Sequence, residues 1–312
     1  TTQPYVGSLP SSHGGGLAVA VVMMANAYAG AKGTLTHDAA LEQFLSTYRA
    51  VDPIRQAYCE GAMRYNETQT IPVHPDARHR SSPTTSQAGQ DVFVWRNLFS
   101  AMTARGEKGF YVESGSNDAC WGSNTFFFDR CLGWKGLCVE VQSKYWRSYR
   151  GRRTCQLVGE CIADRPSQLT FTGRGARAGL ALSRLESPNP HAHAGRKVQC
   201  SPLISMISRL PESQILGGRD GKPVEVTFWS LDVEGAEMLV LNGTLGNPHL
   251  HVRVIMLEDS TDDPRGFERF MNARSYVKVQ LMQMDALYVH TADVAELIPA
   301  SFWYGAGLMK GP

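Results

Sequence analysis

The 312-residue chain has almost no charge of either sign to spare: 31 Lys and Arg stand against 29 Asp and Glu, a formal net of +2. A balance that close gives no electrostatic reason to expect a nucleic-acid partner. No two cysteines form a CxxC pair, so no zinc site of that spacing is expected, and no metal is assigned to the expected site. Leu17 to Ala31 is apolar and alanine-rich, but it falls short of the roughly 18 residues wanted for a membrane span. Basic residues are missing ahead of it. That argues against a signal peptide, although Ala27-Tyr28-Ala29 has the small-x-small form of a cleavage site. An initiator methionine is missing too, so the chain reads as processed or as a fragment.

Three readings fit Leu17 to Ala31: a buried helix, a short membrane-contacting helix, or an arm packed on another subunit. Gly16, Ala20, Ala25 and Ala29 are spaced to let a second helix approach closely. The cysteine count is seven, an odd number, so one thiol at least is unpaired in the monomer. Asn66-Glu67-Thr68 and Asn242-Gly243-Thr244 are glycosylation sequons of a kind that often arises by chance. Arg147, Arg150, Arg152 and Arg153 form a basic cluster that reads as a solvated helix end in preference to a phosphate contact.

Alternating patterns run along most of the chain. Helices are expected over 36–48, 54–65, 90–104, 144–150, 202–210, 236–241 and 264–273, and strands over 156–162, 224–232 and 252–258. A closing hairpin is expected from Tyr276 to Met282 and Ala286 to His290. Residues 173–198 are rich in Gly, Arg, Pro and His, and read as an insert without periodicity; His191 and His193 there read as part of a solvated loop. The most informative stretch is FYVESGSNDACWGSNTFFFDRCLGWKGLCVEV, from Phe110 to Val141. Phe110 to Glu113 form a short apolar run ending on an acid. Gly115 permits a tight turn, Ser123 and Asn124 suit a helix N-cap, and Thr125 to Leu132 continue as a helix. Gly136 to Val141 is a second β-rich run. Its Glu140 comes about 25 residues after the turn, near the spacing at which an acid meets ribose hydroxyls.

At these residues the chain resembles the FkbM-type methyltransferases, which use S-adenosylmethionine on a Rossmann-like sheet. The resemblance is carried by SQAGQDVFVWRNLF (Ser86 to Phe99), ESGSNDACWGSNT, CLGWKGLCVEV, WSLDVEGAEMLVLNG (Trp229 to Gly243), VIMLED (Val254 to Asp259) and DALYV (Asp285 to Val289). It implies an α/β fold, doubly wound, with seven mostly parallel strands and one antiparallel strand inserted by the last hairpin. The implied organisation is an N-terminal helical arm over 1–85, the Rossmann-like domain over 86–292 with an insert at about 165–215, and an aromatic tail over 293–312. Cys131, Cys138, Cys155 and Cys161 resemble the cysteine pattern of secretory family members. That points to an oxidising secretory or organellar compartment, and the alternative is that Cys138 and Cys161 are simply small apolar residues in adjacent strands.

The resemblance also assigns roles. Gly115 would let the backbone approach the methionine part of S-adenosylmethionine, with Glu113 beside it. Asn117 and Asp118 would accept from its amino group, Glu140 would hold both ribose hydroxyls, and Glu160 to Ile162, including Cys161, would flank the adenine. Asp232 is the expected base or substrate orienter, and Glu234 shares that role. Glu237 suits a helix N-terminus as well as it suits catalysis. A divalent ion on these three acids is the lesser reading. The acceptor would be a hydroxyl of a small molecule, glycan or lipid.

Four positions depart from the family pattern. Glu113 replaces an aspartate, Ser116 a small apolar residue, Ala119 a final glycine, and Val141 a proline. Ala119 is expected to add a methyl group where the loop passes closest to the cofactor. A second reading therefore stands beside the enzyme: a decayed family member serving as a subunit of a larger, membrane-embedded complex. Its contact surfaces would be Leu17 to Ala31 and the aromatic tail Phe302 to Met309.

Overall fold

The computed structural model describes residues 46–49, 56–64, 84–87, 89–172, 179–181, 196–211, 215–218, 221–258, 264–282 and 285–298. The expectations for Leu17 to Ala31, Asn66 to Thr68, His191, His193 and Phe302 to Met309 lie outside these residues. So does most of the helix expected over 36–48.

In chain order the elements are α1 (Gln56–Arg64), α2 (Gln90–Val94), a π-helical turn (Trp95–Phe99), α3 (Ser100–Ala104), β1 (Phe110–Ser114), α4 (Phe126–Arg130), β2 (Lys135–Val139), α5 (Ser143–Tyr149), β3 (Gln156–Val158), β4 (Cys161–Ile162), β5 (Ser167–Thr172), β6 (Gly179–Ala181), β7 (Arg196–Ser201), α6 (Leu203–Ile207), β8 (Leu216–Gly217), β9 (Val224–Leu231), α7 (Glu237–Thr244), β10 (Leu250–Glu258), α8 (Pro264–Asn272), β11 (Tyr276–Met282), β12 (Asp285–His290) and α9 (Val294–Leu297). The central sheet has the order β3-β2-β1-β9-β10-β12-β11, with the short β8 pairing to the start of β9. Neighbours are parallel from β3 through β10, and β12 runs antiparallel between β10 and β11. This is a doubly wound, Rossmann-like sheet in which the closing hairpin supplies the reversed strand β12 and the two-residue β8 runs antiparallel to β9.

The central strands read as continuous apolar runs because both faces are covered. Successive residues of each strand feed opposite cores. Tyr111 and Phe228 join Trp95, Phe99, Phe127, Phe128 and Trp134 on one face. Phe110, Val112 and Trp229 join Leu241, Ile255 and Tyr288 on the other. The aromatic core is built from tilted and edge-on pairs, such as Phe99 with Trp134 at 5.2 Å and Phe128 with Phe228 at 5.1 Å.

Three expectations are corrected. The strand expected over 156–162 is broken at Gly159 and Glu160, and its two pieces enter different sheets. The Trp146 ring occupies the place a side chain at Gly159 would need. The insert is not structureless, because β4, β7, β5 and β6 form a second small sheet. Its β7 alternates weakly, with Val198 and Cys200 inward, and that pattern is too short to read from sequence. Lastly, Arg153 does not belong to a solvated helix end. It is fully buried against Asp129, at 2.7 Å, and Glu113, at 3.2 Å.

Six of the seven cysteines pair, as Cys59–Cys131, Cys138–Cys155 and Cys161–Cys200, and Cys120 is a buried thiol outside these disulfides. The four cysteines singled out from the sequence thus pair with one another only once. Cys131 reaches Cys59 of α1, and Cys161 pairs with Cys200 across the neighbouring strands β4 and β7 of the small sheet. In the second sequon, Thr244 is buried at the end of α7, while Asn242 is exposed and its amide oxygen accepts from Arg274. Among the described residues, no helix is long and apolar enough to cross a membrane.

Candidate functional site

Strand β1 ends at Ser114, and the chain bends sharply at Gly115, whose φ is +71°. A side chain there would also collide with the Asp232 carbonyl oxygen, because the ends of β1 and β9 are drawn together by a hydrogen bond from the Asp232 amide to the Ser114 carbonyl. The amides of Gly115 and Ser116 donate to the Val139 carbonyl, at 3.0 and 3.3 Å, so the loop is fastened to the end of β2 as well. Asn117 follows with φ at +46°, a left-handed conformation that asparagine tolerates.

Glu140 stands at the end of β2, buried. Its Oε2 accepts the Asn117 amide at 2.8 Å and its Oε1 accepts the Gln142 amide at 2.6 Å. Each carboxylate oxygen therefore keeps a lone pair for a further donor. Burial pushes the Glu140 carboxyl up, and these two amides and then Lys144 and Arg196 pull it down. The Trp146 indole N–H donates to the Glu140 carbonyl at 2.7 Å and fixes the backbone of the same residue.

Gly115, Asn117, Asp118, Glu140, Cys161, Asp232 and Glu234 all line one cavity of about 240 Å³ at the carboxyl edge of the sheet. Trp121 stands at its rim, 43 % exposed, and does not plug it. Asp118 spends Oδ1 on the amides of Cys120 and Trp121, both at 3.1 Å, so it braces its own turn. Glu160 also faces the cavity, while its carboxylate is held by Arg209 and Ser201. Cys161 contributes a disulfide-bonded wall, locked to Cys200 of the small sheet.

Glu113 touches the cavity, but its carboxylate is engaged elsewhere. It accepts from the Ser123 hydroxyl at 2.9 Å, the Asn124 amide at 2.8 Å, the Thr125 hydroxyl at 2.8 Å and Arg153. The expected direct contact of Glu113 with cofactor is therefore revised to an indirect one, since Glu113 fastens the start of α4 beneath the loop. The Ser123 hydroxyl also accepts the Phe126 amide at 3.0 Å, but the N-cap position of α4 is Thr125, so the cap expected at Ser123 or Asn124 lies in the turn ahead of the helix.

Ala119 corrects the concern raised by the sequence. It is fully buried, lies outside the cavity lining, and donates its amide to the Ser148 hydroxyl at 3.0 Å. Among the described residues, positive φ outside glycine is confined to Asn117, Glu234 and Ser275, so Ala119 carries no such strain. Sequence reasoning missed the residues of α5 that hold this loop. Tyr149 donates to the Ser116 hydroxyl at 2.7 Å, and Ser148 takes the Ala119 amide. No local signal marks them, since a Ser and a Tyr on a short helix have many other uses. Asn124, Ser230, Tyr145, Gln142 and Phe171 also complete the lining unannounced.

Asp232 ends β9 with Oδ1 buried and without a hydrogen-bond partner. Burial, then the nearby carboxylates of Glu258, Glu234, Glu237 and Asp285, pushes its carboxyl up to about 7. Glu234 and Gly235 both take positive φ, turning the chain out of the strand, and Glu237 closes the turn by accepting the amides of Val233 and Gly235 at 3.0 and 3.1 Å. Glu237 therefore serves the helix start. No Lys, Arg or His side chain lines the cavity among its described residues.

The fold is Rossmann-like and of the class I methyltransferase type, with its cavity where open α/β sheets hold their ligands. No family model matches the chain, and no curated protein matches it. Among solved structures it is similar to a precorrin-6y C5,15-methyltransferase from Geobacter metallireducens GS-15, at a TM-score of 0.35 and 10% identity, covering 71% of this chain and 97% of that one. A likeness of that size says nothing of activity, and the fold class rests on the sheet order itself.

Proposed function

We propose that the protein is an S-adenosylmethionine-dependent methyltransferase of FkbM type, acting on a hydroxyl of a sugar, lipid or small metabolite. One observation carries the reading: the Gly115 bend, the half-satisfied Glu140 carboxylate and the proton-holding Asp232 line a single cavity. Two ribose hydroxyls are the kind of paired donor that the two free lone pairs of Glu140 call for. The absence of basic side chains from the described lining suits a sulfonium cation and disfavours a phosphorylated acceptor.

When bound, S-adenosylmethionine supplies an electrophilic methyl group whose carbon–sulfur bond breaks, with the electron pair left on sulfur, as the acceptor oxygen attacks in line. The chain must align the acceptor, exclude water and take the hydroxyl proton. Asp232 takes that proton on its carboxylate, and its raised pKa matches a base working near neutral pH. Glu234, at the exposed turn beside it, orients the acceptor. The second reading, a decayed subunit, drew on four departures; Glu113 and Ala119 have structural work that leaves the cavity open, and Ser116 and Val141 stand in its lining. Calorimetric titration with S-adenosylmethionine tests the proposal, with micromolar binding expected for the wild type and none for Glu140→Ala.

A further inference from the structure

A second group of chemistry-bearing residues lies at the opposite end of the sheet from the cavity. His251 stands near the start of β10, His290 ends β12, and Asp293 precedes α9, so three elements converge there. One atom of each, a nitrogen from either imidazole and an oxygen of the carboxylate, falls within 4.8 Å of the others. The His251 Nε2 is 2.8 Å from Asp293 Oδ2, and the His290 Nδ1 is 3.8 Å from the same oxygen. A divalent ion about 2.0–2.2 Å from each of its N and O ligands needs ligand atoms spaced on that scale.

We infer that His251, His290 and Asp293 form a zinc-type divalent-metal site, separate from the methyl-transfer cavity. Two features suit the three residues to this use. Arg253 holds the other carboxylate oxygen, its Nε donating to Asp293 Oδ1 at 2.9 Å, so Oδ2 is aimed at the imidazoles by the outer-shell bracing that metal ligands commonly have. The Ala292 amide donates to His290 Nδ1 at 3.3 Å, which marks that nitrogen as the unprotonated one, and a metal would take over the lone pair that this long hydrogen bond uses. The rings are already set against each other edge to face at 4.8 Å, and Tyr276 packs edge-on to His290. Side-chain exposures of 28 %, 24 % and 12 % leave room for water as a fourth ligand. The site ties the strand hairpin to α9, so its role is structural.

The test uses the full, untagged chain after chelator treatment and dialysis, titrated with zinc chloride in a calorimeter. One zinc per chain is expected, with a rise in thermal midpoint. His251→Asn and His290→Asn should each weaken binding by more than the roughly 10–100-fold that outer-shell changes cost. Asp232→Asn, at the far end of the sheet, should leave it unchanged. Should either histidine variant fail to fold, cobalt(II) loaded into the wild type reads the same question. An intense visible band of four-coordinate nitrogen and oxygen ligation supports the site, and the pale spectrum of six-coordinate cobalt overturns it. No saturable uptake, uptake indifferent to both histidines, or uptake lost with Asp232→Asn would each overturn it as well.

Discussion

Asp232 is ionised in the unfolded chain above about 3.8, yet in the folded protein it holds its proton up to about 7. The native state binds the extra proton, so the stability this group contributes is full below the lower value and is lost as pH rises through the upper one. Asp232→Asn should therefore raise the thermal midpoint by a few degrees at pH 8 and leave it nearly unchanged at pH 3.5. The same group gives the activity its pH dependence. The acid limb of kcat/KM should fall near pH 7 in the wild type and disappear in Asp232→Asn, with a loss of roughly 10²–10⁴-fold in rate. Arg153 makes the opposite case, a charge whose purpose is the fold. Arg153→Met leaves Glu113 and Asp129 buried without their cation and should cost roughly 3–5 kcal/mol in denaturant unfolding. Glu140 and Gly115 were legible in the sequence because an acid spaced from a glycine turn implies a geometry. Arg153 was not, because its partners lie 24 and 40 residues away and its neighbours in sequence are solvated arginines.

The elements that read clearly were those whose apolar period is long. Strands β9 and β10 and the β11–β12 hairpin appear within a residue or two of expectation, because fully buried runs leave a strong signal. The helix expected over 90–104 is present too, though it passes through a π turn that no pattern announces. The small sheet of the insert escaped notice, since β4 has two residues and β6 three, and its disulfide joins two of its own strands, β4 and β7. Cys161–Cys200 joins the first two strands of that sheet, β4 and β7, and Cys161 forms part of the cavity wall. Replacing both by alanine should lower stability by up to about 4 kcal/mol on the chain-entropy view of a loop of this length. It should also weaken S-adenosylmethionine binding while leaving the Glu140 contacts in place, a combination that paired unfolding and binding measurements would show. Unchanged affinity would mean the small sheet is not part of the ligand wall.

At the scale of the whole molecule, strand order decides where the chemistry lies. Placing β1 between β2 and β9 brings Glu140 and Asp232, far apart in sequence, to opposite walls of one cavity on either side of Gly115. Two apolar layers hold that order, and three disulfides fasten the layers and the small sheet. Such pairing suits an oxidising compartment, and a reductant should lower the thermal midpoint of the wild type. The central claim is narrower: Glu140 receives the ribose of S-adenosylmethionine in the hollow beside Gly115. Isothermal titration of the folded wild type and of Glu140→Ala with that ligand addresses it most directly. The account predicts a single micromolar site in the wild type that vanishes in the variant. A wild type that gives no binding heat, or a variant that binds as tightly, would contradict it.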